Sequence, residues 1–126
     1  MQKKDIDWSK LGFGYTPTDY RFEAHWKDGK WDEGQLTEDA TLHISEASPA
    51  LHYGQEAFEG LKAYRTKDGS IQLFRPDENA KRLQRTADRL LMPQVPVDKF
   101  VDACKQVVRA NEEYVPPFPS DASRIL

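Results

Sequence analysis

Three arginines near the middle of the chain, Arg82, Arg85 and Arg89, are separated by three and then four residues. In an α-helix this spacing places their guanidinium groups on one face. A guanidinium group can bind a phosphate dianion through paired, charge-assisted hydrogen bonds. The same pattern is also typical of a solvated basic face, so the spacing alone leaves both interpretations open.

Two amphipathic helices are predicted in the second half of the chain. The first is expected over residues 76–92, with these apolar residues as its buried stripe: Leu83, Ala87, Leu90 and Leu91. The second is expected over residues 99–114, with Asp98 as its cap. Cys104 lies on the apolar stripe of the second helix, and we interpret it as a structural cysteine rather than a reactive one.

Two β-hairpins are predicted where apolar and polar residues alternate on both sides of an Asp-Gly pair, since such pairs tolerate the positive φ values of tight turns. One hairpin covers residues 21–36 and turns at Asp28-Gly29. The other joins residues 61–65 to residues 70–74 around Asp68-Gly69.

The segment between the hairpins is expected to hold two short elements. Residues 41–45 alternate, with Leu42 and Ile44 on one face. A helix is predicted over residues 50–58, because Pro49 is compatible with a helix start and Gly60 with a helix end. The order of elements predicts an α+β domain in which antiparallel strands in two hairpins pack with two to three helices.

The composition of the chain and its lack of certain motifs argue against several classes of function. A chain of 126 residues with a net charge of −3 suits one domain and gives no reason to expect nucleic-acid binding. No apolar run approaches the length of a membrane span, and the N-terminus shows no secretory signal. Cys104 is the single cysteine, which fits a reducing compartment and the cytoplasm as the expected location. No CxxC or HExxH motif supports a metal site.

An ordered series of motifs resembles the small-domain signature of branched-chain amino-acid aminotransferases, which are class IV aminotransferases with the fold type IV arrangement of pyridoxal 5'-phosphate (PLP). The series consists of Tyr53-Gly54, the string FEGLKAYR from Phe58 to Arg65, Phe74-Arg75-Pro76, and NAKRL from Asn79 to Leu83. The resemblance implies a small N-terminal domain over residues 1–115. A proline-rich linker over residues 116–126 would then lead toward a C-terminal domain.

The resemblance also implies roles for three residues. Arg82 would bind the phosphate of the cofactor, and Phe13 and Tyr53 would line the aliphatic substrate pocket. From the residue types alone, both aromatics are also compatible with packing at or near the core. In the family the Schiff-base lysine lies in the larger C-terminal domain. No catalytic residue is therefore expected in these 126 residues, and Lys62 is interpreted as a structural or rim residue.

The expected parent reaction moves an amino group between leucine, isoleucine or valine and 2-oxoglutarate through PLP. The chain alone is expected neither to catalyse this reaction nor to bind PLP. It is expected to form a homo-oligomer, most simply a dimer. One alternative is a non-catalytic module that self-associates or binds a partner. Another is a different fold type IV enzyme, such as a D-amino-acid aminotransferase or an aminodeoxychorismate lyase.

Overall fold

The computed structural model describes residues 5–12 and 14–118, and it shows an α+β arrangement. Its strands form antiparallel pairs, and its helices comprise one short and two long α-helices. Two 3-10 helices, Trp8–Lys10 and Glu112–Tyr114, lie toward the two ends of the described chain. The predicted fold class is therefore confirmed.

The first hairpin is built from two short ladders in succession. Its strands are β1 (Arg21–Glu23), β2 (Trp26–Lys27), β3 (Lys30–Trp31) and β4 (Gln35–Thr37). β1 pairs with β4 and β2 with β3. Asp28 and Gly29 turn the chain with φ values of 53° and 79°, as the Asp-Gly pair predicted.

The second hairpin pairs β5 (Ala63–Arg65) with β6 (Ile71–Leu73). Both strands lie within the predicted ranges and are shorter than them. Gly69 has a φ of 88°, and the Asp68 carboxylate accepts hydrogen bonds from both flanking hydroxyl residues, Thr66 and Ser70. The turn is thus closed by its own side chains, which explains why local sequence was enough to predict it.

The two long helices, α2 (Pro76–Arg89) and α3 (Val97–Ala110), pack against each other. Ala80 and Ala87 of α2 are the buried apolar residues of the described chain, so the centre of the core is small. The prediction that Leu91 belongs to the buried stripe is wrong. α2 ends at Arg89, and Leu91 follows in a left-handed conformation with 88% of its surface exposed.

The second long helix starts and ends earlier than predicted. Its N-cap is Pro96, and Asp98 lies inside the first turn, so the prediction of Asp98 as the cap is wrong. A carboxylate in the first turn still interacts favourably with the positive end of the helix dipole. The residues after Ala110 tighten into the 3-10 helix instead of continuing α3.

The two short elements predicted between the hairpins differ from expectation. Residues 41–45 form no strand, and Leu42 and Ile44 are exposed. Only α1 (Pro49–His52) forms where a helix over residues 50–58 was predicted. Pro49 does start that helix, whereas Gly54, with a φ of 61°, lies beyond its end. Within the described ranges, no helix is both long and apolar enough to cross a membrane.

Candidate functional site

The chain after α1 runs alongside α2 in the opposite direction. At one end, Gln55 donates a hydrogen bond from Nε2 to the carbonyl of Leu90, at 2.7 Å. At the other end, Asn79 donates from Nδ2 to the carbonyl of Gly60, at 2.9 Å. We call residues 55–60 the strip.

The length of the strip explains why a helix does not form there. Leu90 lies eleven residues after Asn79, which in a helix corresponds to about 16 Å. The five residue-to-residue steps from Gln55 to Gly60 cover about 16 Å only if the chain is extended, at roughly 3.3 Å per step. As a helix they would cover about 8 Å and could not reach both contacts.

A two-bonded ion pair joins the strip to the middle of α2. Arg82 donates from Nε to Oε1 of Glu59 at 2.6 Å and from Nη2 to Oε2 at 2.7 Å. The Glu59 side chain is only 6% exposed, whereas that of Arg82 is 60% exposed. The carboxylate therefore lies against the protein, and the guanidinium group extends from it toward solvent.

The charge state of Glu59 follows from its partners. The hydrogen bond from Arg82 lowers the pKa of the Glu59 carboxyl, and burial opposes this effect without cancelling it. Asn79, which donates to Oε2 at 2.9 Å, lowers the pKa further, as does the charge of Arg85 one turn along the helix. Glu59 is thus an anion at neutral pH.

Part of the Arg82 guanidinium group remains available to a ligand. A guanidinium group carries five N–H donors, and Glu59 uses one on Nε and one on Nη2. Both N–H groups of Nη1 and the second of Nη2 have no hydrogen-bond partner among the described residues. That edge has the fork geometry that suits a phosphate or a carboxylate.

The other residues considered in the sequence analysis, Tyr53, Phe13 and Lys62, differ in their exposure and in whether the structure describes them. Tyr53 is 87% exposed, so its interpretation as a core aromatic is wrong. Phe13 lies outside the described residues. Lys62 is exposed between the half-buried residues Leu61 and Ala63, as the strand alternation predicted. The structure therefore places Tyr53 two residues before the strip and Arg82 beside it.

Sequence reasoning missed two residues that shape this site. The sequence places Glu59 in the motif FEGLKAYR and Asn79 in the motif NAKRL, and it assigns neither residue a role of its own. Two signals pointed to them. Glu59 is the one acidic residue between positions 57 and 67, and Asn79 precedes Arg82 by three residues on one helix face.

The described residues were also compared with the ligand sets of metal sites. In ranges 5–12 and 14–118, no group of three or more His, Cys, Asp or Glu side chains is placed to hold an ion.

Comparison with known proteins finds similar sequences along nearly the whole chain. It is 68% identical over 123 residues to the branched-chain-amino-acid aminotransferase of Haemophilus influenzae, covering 98% of this chain and 36% of that protein. It is 51% identical over 123 residues to the enzyme of the same name from Helicobacter pylori, again covering 98% and 36%.

A plant protein shows the same partial coverage. The chain is 48% identical over 118 residues to branched-chain amino acid aminotransferase 2 of Humulus lupulus, covering 93% of this chain and 29% of that protein. No protein-family profile matches the chain. The chain spans about a third of the length of the curated relatives it matches. The chain is thus similar over nearly its whole length to about a third of each of these branched-chain aminotransferases, which confirms the resemblance predicted from its motifs.

Proposed function

We propose that this chain contributes one side of the active-site cleft of an enzyme that transfers amino groups between leucine, isoleucine or valine and 2-oxoglutarate. The observation that carries the proposal is the state of Arg82, which is held by Glu59 yet presents a free donor edge to solvent. The names of the similar proteins favour the branched-chain group over other fold type IV enzymes.

The residues present fit one end of PLP, its phosphate. A phosphate dianion needs charged or polar N–H donors in a fixed geometry, and Arg82 has three unused N–H groups, two of which form a fork. We therefore assign phosphate binding to Arg82. When bound, PLP acts as an electron sink for the amino-group transfer, and this chain binds and orients it rather than reacting with it.

The substrate side of the cleft is assigned to Phe13 and Tyr53. An aliphatic side chain is bound best by apolar area without polar demands, which aromatic rings provide. The high exposure of Tyr53 supports this role, because the ring is free to meet a ligand.

Exposed apolar side chains support the presence of another domain or subunit that covers them. Besides Tyr53, the aromatic residues Phe58 and Phe74 are 91% and 79% exposed. Exposed apolar area of this kind marks surfaces that another domain or subunit covers. We propose that residues 1–115 form the small domain and that residues 116–126 lead to a larger domain, which carries the lysine that PLP attaches to.

The same exposed side chains are compatible with self-association, so we also propose a homodimer. Light scattering tests it. A dimer of the complete enzyme is expected. A defined oligomer of the isolated chain with no affinity for any aminotransferase ligand would instead favour a non-catalytic module.

A chimaeric protein tests the proposed activity. The matching segment of the Haemophilus influenzae enzyme is replaced by this chain, and leucine-dependent consumption of 2-oxoglutarate is measured. Turnover is expected from the chimaera and none from the 126-residue chain alone. A folded chimaera with the oligomeric state of the natural enzyme and no turnover would contradict the proposal, as would turnover by the chain alone.

Two arginine variants of the chimaera test the phosphate role. Arg82→Ala is expected to raise the dissociation constant of PLP by about a hundredfold, because it removes the charge-assisted hydrogen bonds to the phosphate. Arg89→Ala is the matched control on the same helix, and PLP binding should stay within about twofold of the parent. Equal PLP binding by Arg82→Ala and the parent would remove Arg82 from the site.

A further inference from the structure

We propose that Glu59 is a positioning residue for the cofactor phosphate: it fixes the Arg82 guanidinium group so that the free edge is presented to the phosphate. This inference rests on the proposed function, since it assumes that Arg82 binds that group. It assigns Glu59 a role that acts through Arg82 and not through direct contact with ligand or substrate.

The geometry of the pair supports orientation rather than simple charge balance. An arginine on a helix surface has several rotatable bonds, and fixing them costs conformational entropy. Two parallel hydrogen bonds to one carboxylate set both the position and the plane of the guanidinium group. Because this ordering is complete before a ligand arrives, binding does not have to supply it.

Glu59 is itself held in place. Its side chain is almost fully buried, and Asn79 donates from the same Nδ2 to Glu59 Oε2 and to the Gly60 carbonyl, both at 2.9 Å. A chain of contacts therefore runs from α2 through Asn79 to Glu59 and then to Arg82. Each member is fixed by the one before it, so the guanidinium plane is set by the packing of the strip on the helix.

Electrostatics alone would predict the opposite effect of Glu59. A carboxylate beside Arg82 cancels much of its charge, so its removal should strengthen the binding of an anion. Arg82 is mostly exposed, however, and solvent and salt screen the charge that removal would release. The loss of geometric order should therefore outweigh the gain in charge. Weaker PLP binding after removal of the Glu59 carboxylate would show that the loss of geometric order dominates, and stronger binding would show that the gain in charge dominates.

The test uses the chimaeric enzyme with PLP as the ligand and its equilibrium dissociation constant as the readout. Glu59→Gln should raise this constant by about tenfold, because glutamine cannot accept both guanidinium hydrogen bonds. Glu59→Gln added to Arg82→Ala should have no further effect beyond about twofold. Glu78→Gln, which alters an exposed glutamate paired with Lys81 on α2, is the matched control and should leave binding unchanged.

Spectroscopy separates positioning from a general loss of structure. The phosphorus NMR signal of bound PLP should shift in Glu59→Gln and stay at the parent position in Glu78→Gln. In the 126-residue chain, the Arg82 Nε–H signal should be protected from solvent exchange and should lose that protection in Glu59→Gln. Should Glu59→Gln fold poorly, Asn79→Ala should weaken PLP binding in the same direction and only when Arg82 is present.

The phosphate-binding role of Arg82 and the positioning role of Glu59 are contradicted by different results. If Arg82→Ala leaves PLP binding unchanged, the proposed function of Arg82 fails. If Arg82→Ala weakens binding while Glu59→Gln leaves it unchanged or strengthens it, the positioning role fails and the proposed function stands. A Glu59→Gln effect of equal size in the Arg82→Ala background would also overturn it, because Glu59 would then act independently of the arginine.

Discussion

Asn111 binds both backbone polar groups of Tyr20, 91 residues earlier in the chain. The Tyr20 N–H donates to Oδ1 at 2.9 Å, and Nδ2 donates to the Tyr20 carbonyl at 2.8 Å. Asn111 is only 7% exposed, and its Nδ2 also donates to the carbonyl of Val107 in the last turn of α3. One side chain therefore joins the start of the first hairpin to the end of the second long helix.

Substituting Asn111 should destabilise the fold. Asn111→Ala leaves the N–H and the carbonyl of Tyr20 without their partner, so we expect a loss of about 2 kcal/mol in the free energy of unfolding. Asn111→Asp keeps the oxygen that accepts from the Tyr20 N–H but loses the Nδ2 donor, so it should also be destabilising. Urea unfolding measures the stability of both variants. Gln94→Ala, an exposed control, should change stability by less than about 0.5 kcal/mol, and an equal effect for Asn111→Ala would contradict this role.

Gly34 should be far less tolerant of substitution than Gly29. Both have positive φ, 76° and 79°, so alanine strains the backbone at either position. At Gly34 a Cβ atom would also lie 2.6 Å from Cε1 of the Phe22 ring, whereas at Gly29 nothing lies within 4 Å. Gly29→Ala should cost about 1 kcal/mol, and Gly34→Ala should cost at least about 1 kcal/mol more. Equal losses in thermal unfolding would show that the ring contact does not matter.

The turn of the second hairpin should resist acid. Hydrogen bonds from the Thr66 hydroxyl and from the hydroxyl and N–H of Ser70 lower the pKa of the Asp68 carboxyl from 3.8 to about 2. Because the folded-state pKa is depressed, Asp68 stabilises the fold above pH 3.8, and this contribution is lost as the pH falls toward 2.

NMR titration of the Asp68 carboxyl carbon measures this directly, and its midpoint should lie near 2. Asp68→Asn should remove the corresponding pH dependence of stability in that window. A midpoint at the ordinary value of 3.8 would show that the turn hydrogen bonds do not form in solution.

Cys104 should react slowly with thiol reagents. It is half-buried and lines an open apolar groove of about 330 Å³ between α3 and the hairpins, and burial raises the pKa of its thiol. Less thiolate is then present at neutral pH, and reagents reach it poorly. Labelling with a chromogenic disulfide should be at least about tenfold slower in the native chain than in concentrated urea. Equal rates would place the thiol in solvent.

The parts of the fold that sequence predicted are those determined by neighbouring residues. Both Asp-Gly turns formed as expected, because the positive φ values and the side-chain hydrogen bonds of a turn are local. The two long helices were recognised from their apolar spacing, although their ends were misplaced. Helix ends depend on where the chain must go next, which spacing does not encode.

The contacts that build the candidate site are not local, and sequence reasoning missed them. Glu59 and Arg82 are 23 residues apart, and neither residue type alone indicates the other as its partner. The helix predicted over residues 50–58 failed for the same reason. Gln55 and Glu59 gain their hydrogen bonds with Leu90 and Arg82 only if the strip is extended, so these contacts override the local preference.

We propose that these residues form one side of a cleft whose reactive amine lies elsewhere in a longer polypeptide. Reduction of the PLP-loaded chimaera with borohydride, followed by peptide mass spectrometry, tests it most directly. We expect the pyridoxyl group on a lysine outside the 126 residues. A pyridoxyl group on a lysine of this chain, Lys62 included, would contradict the claim.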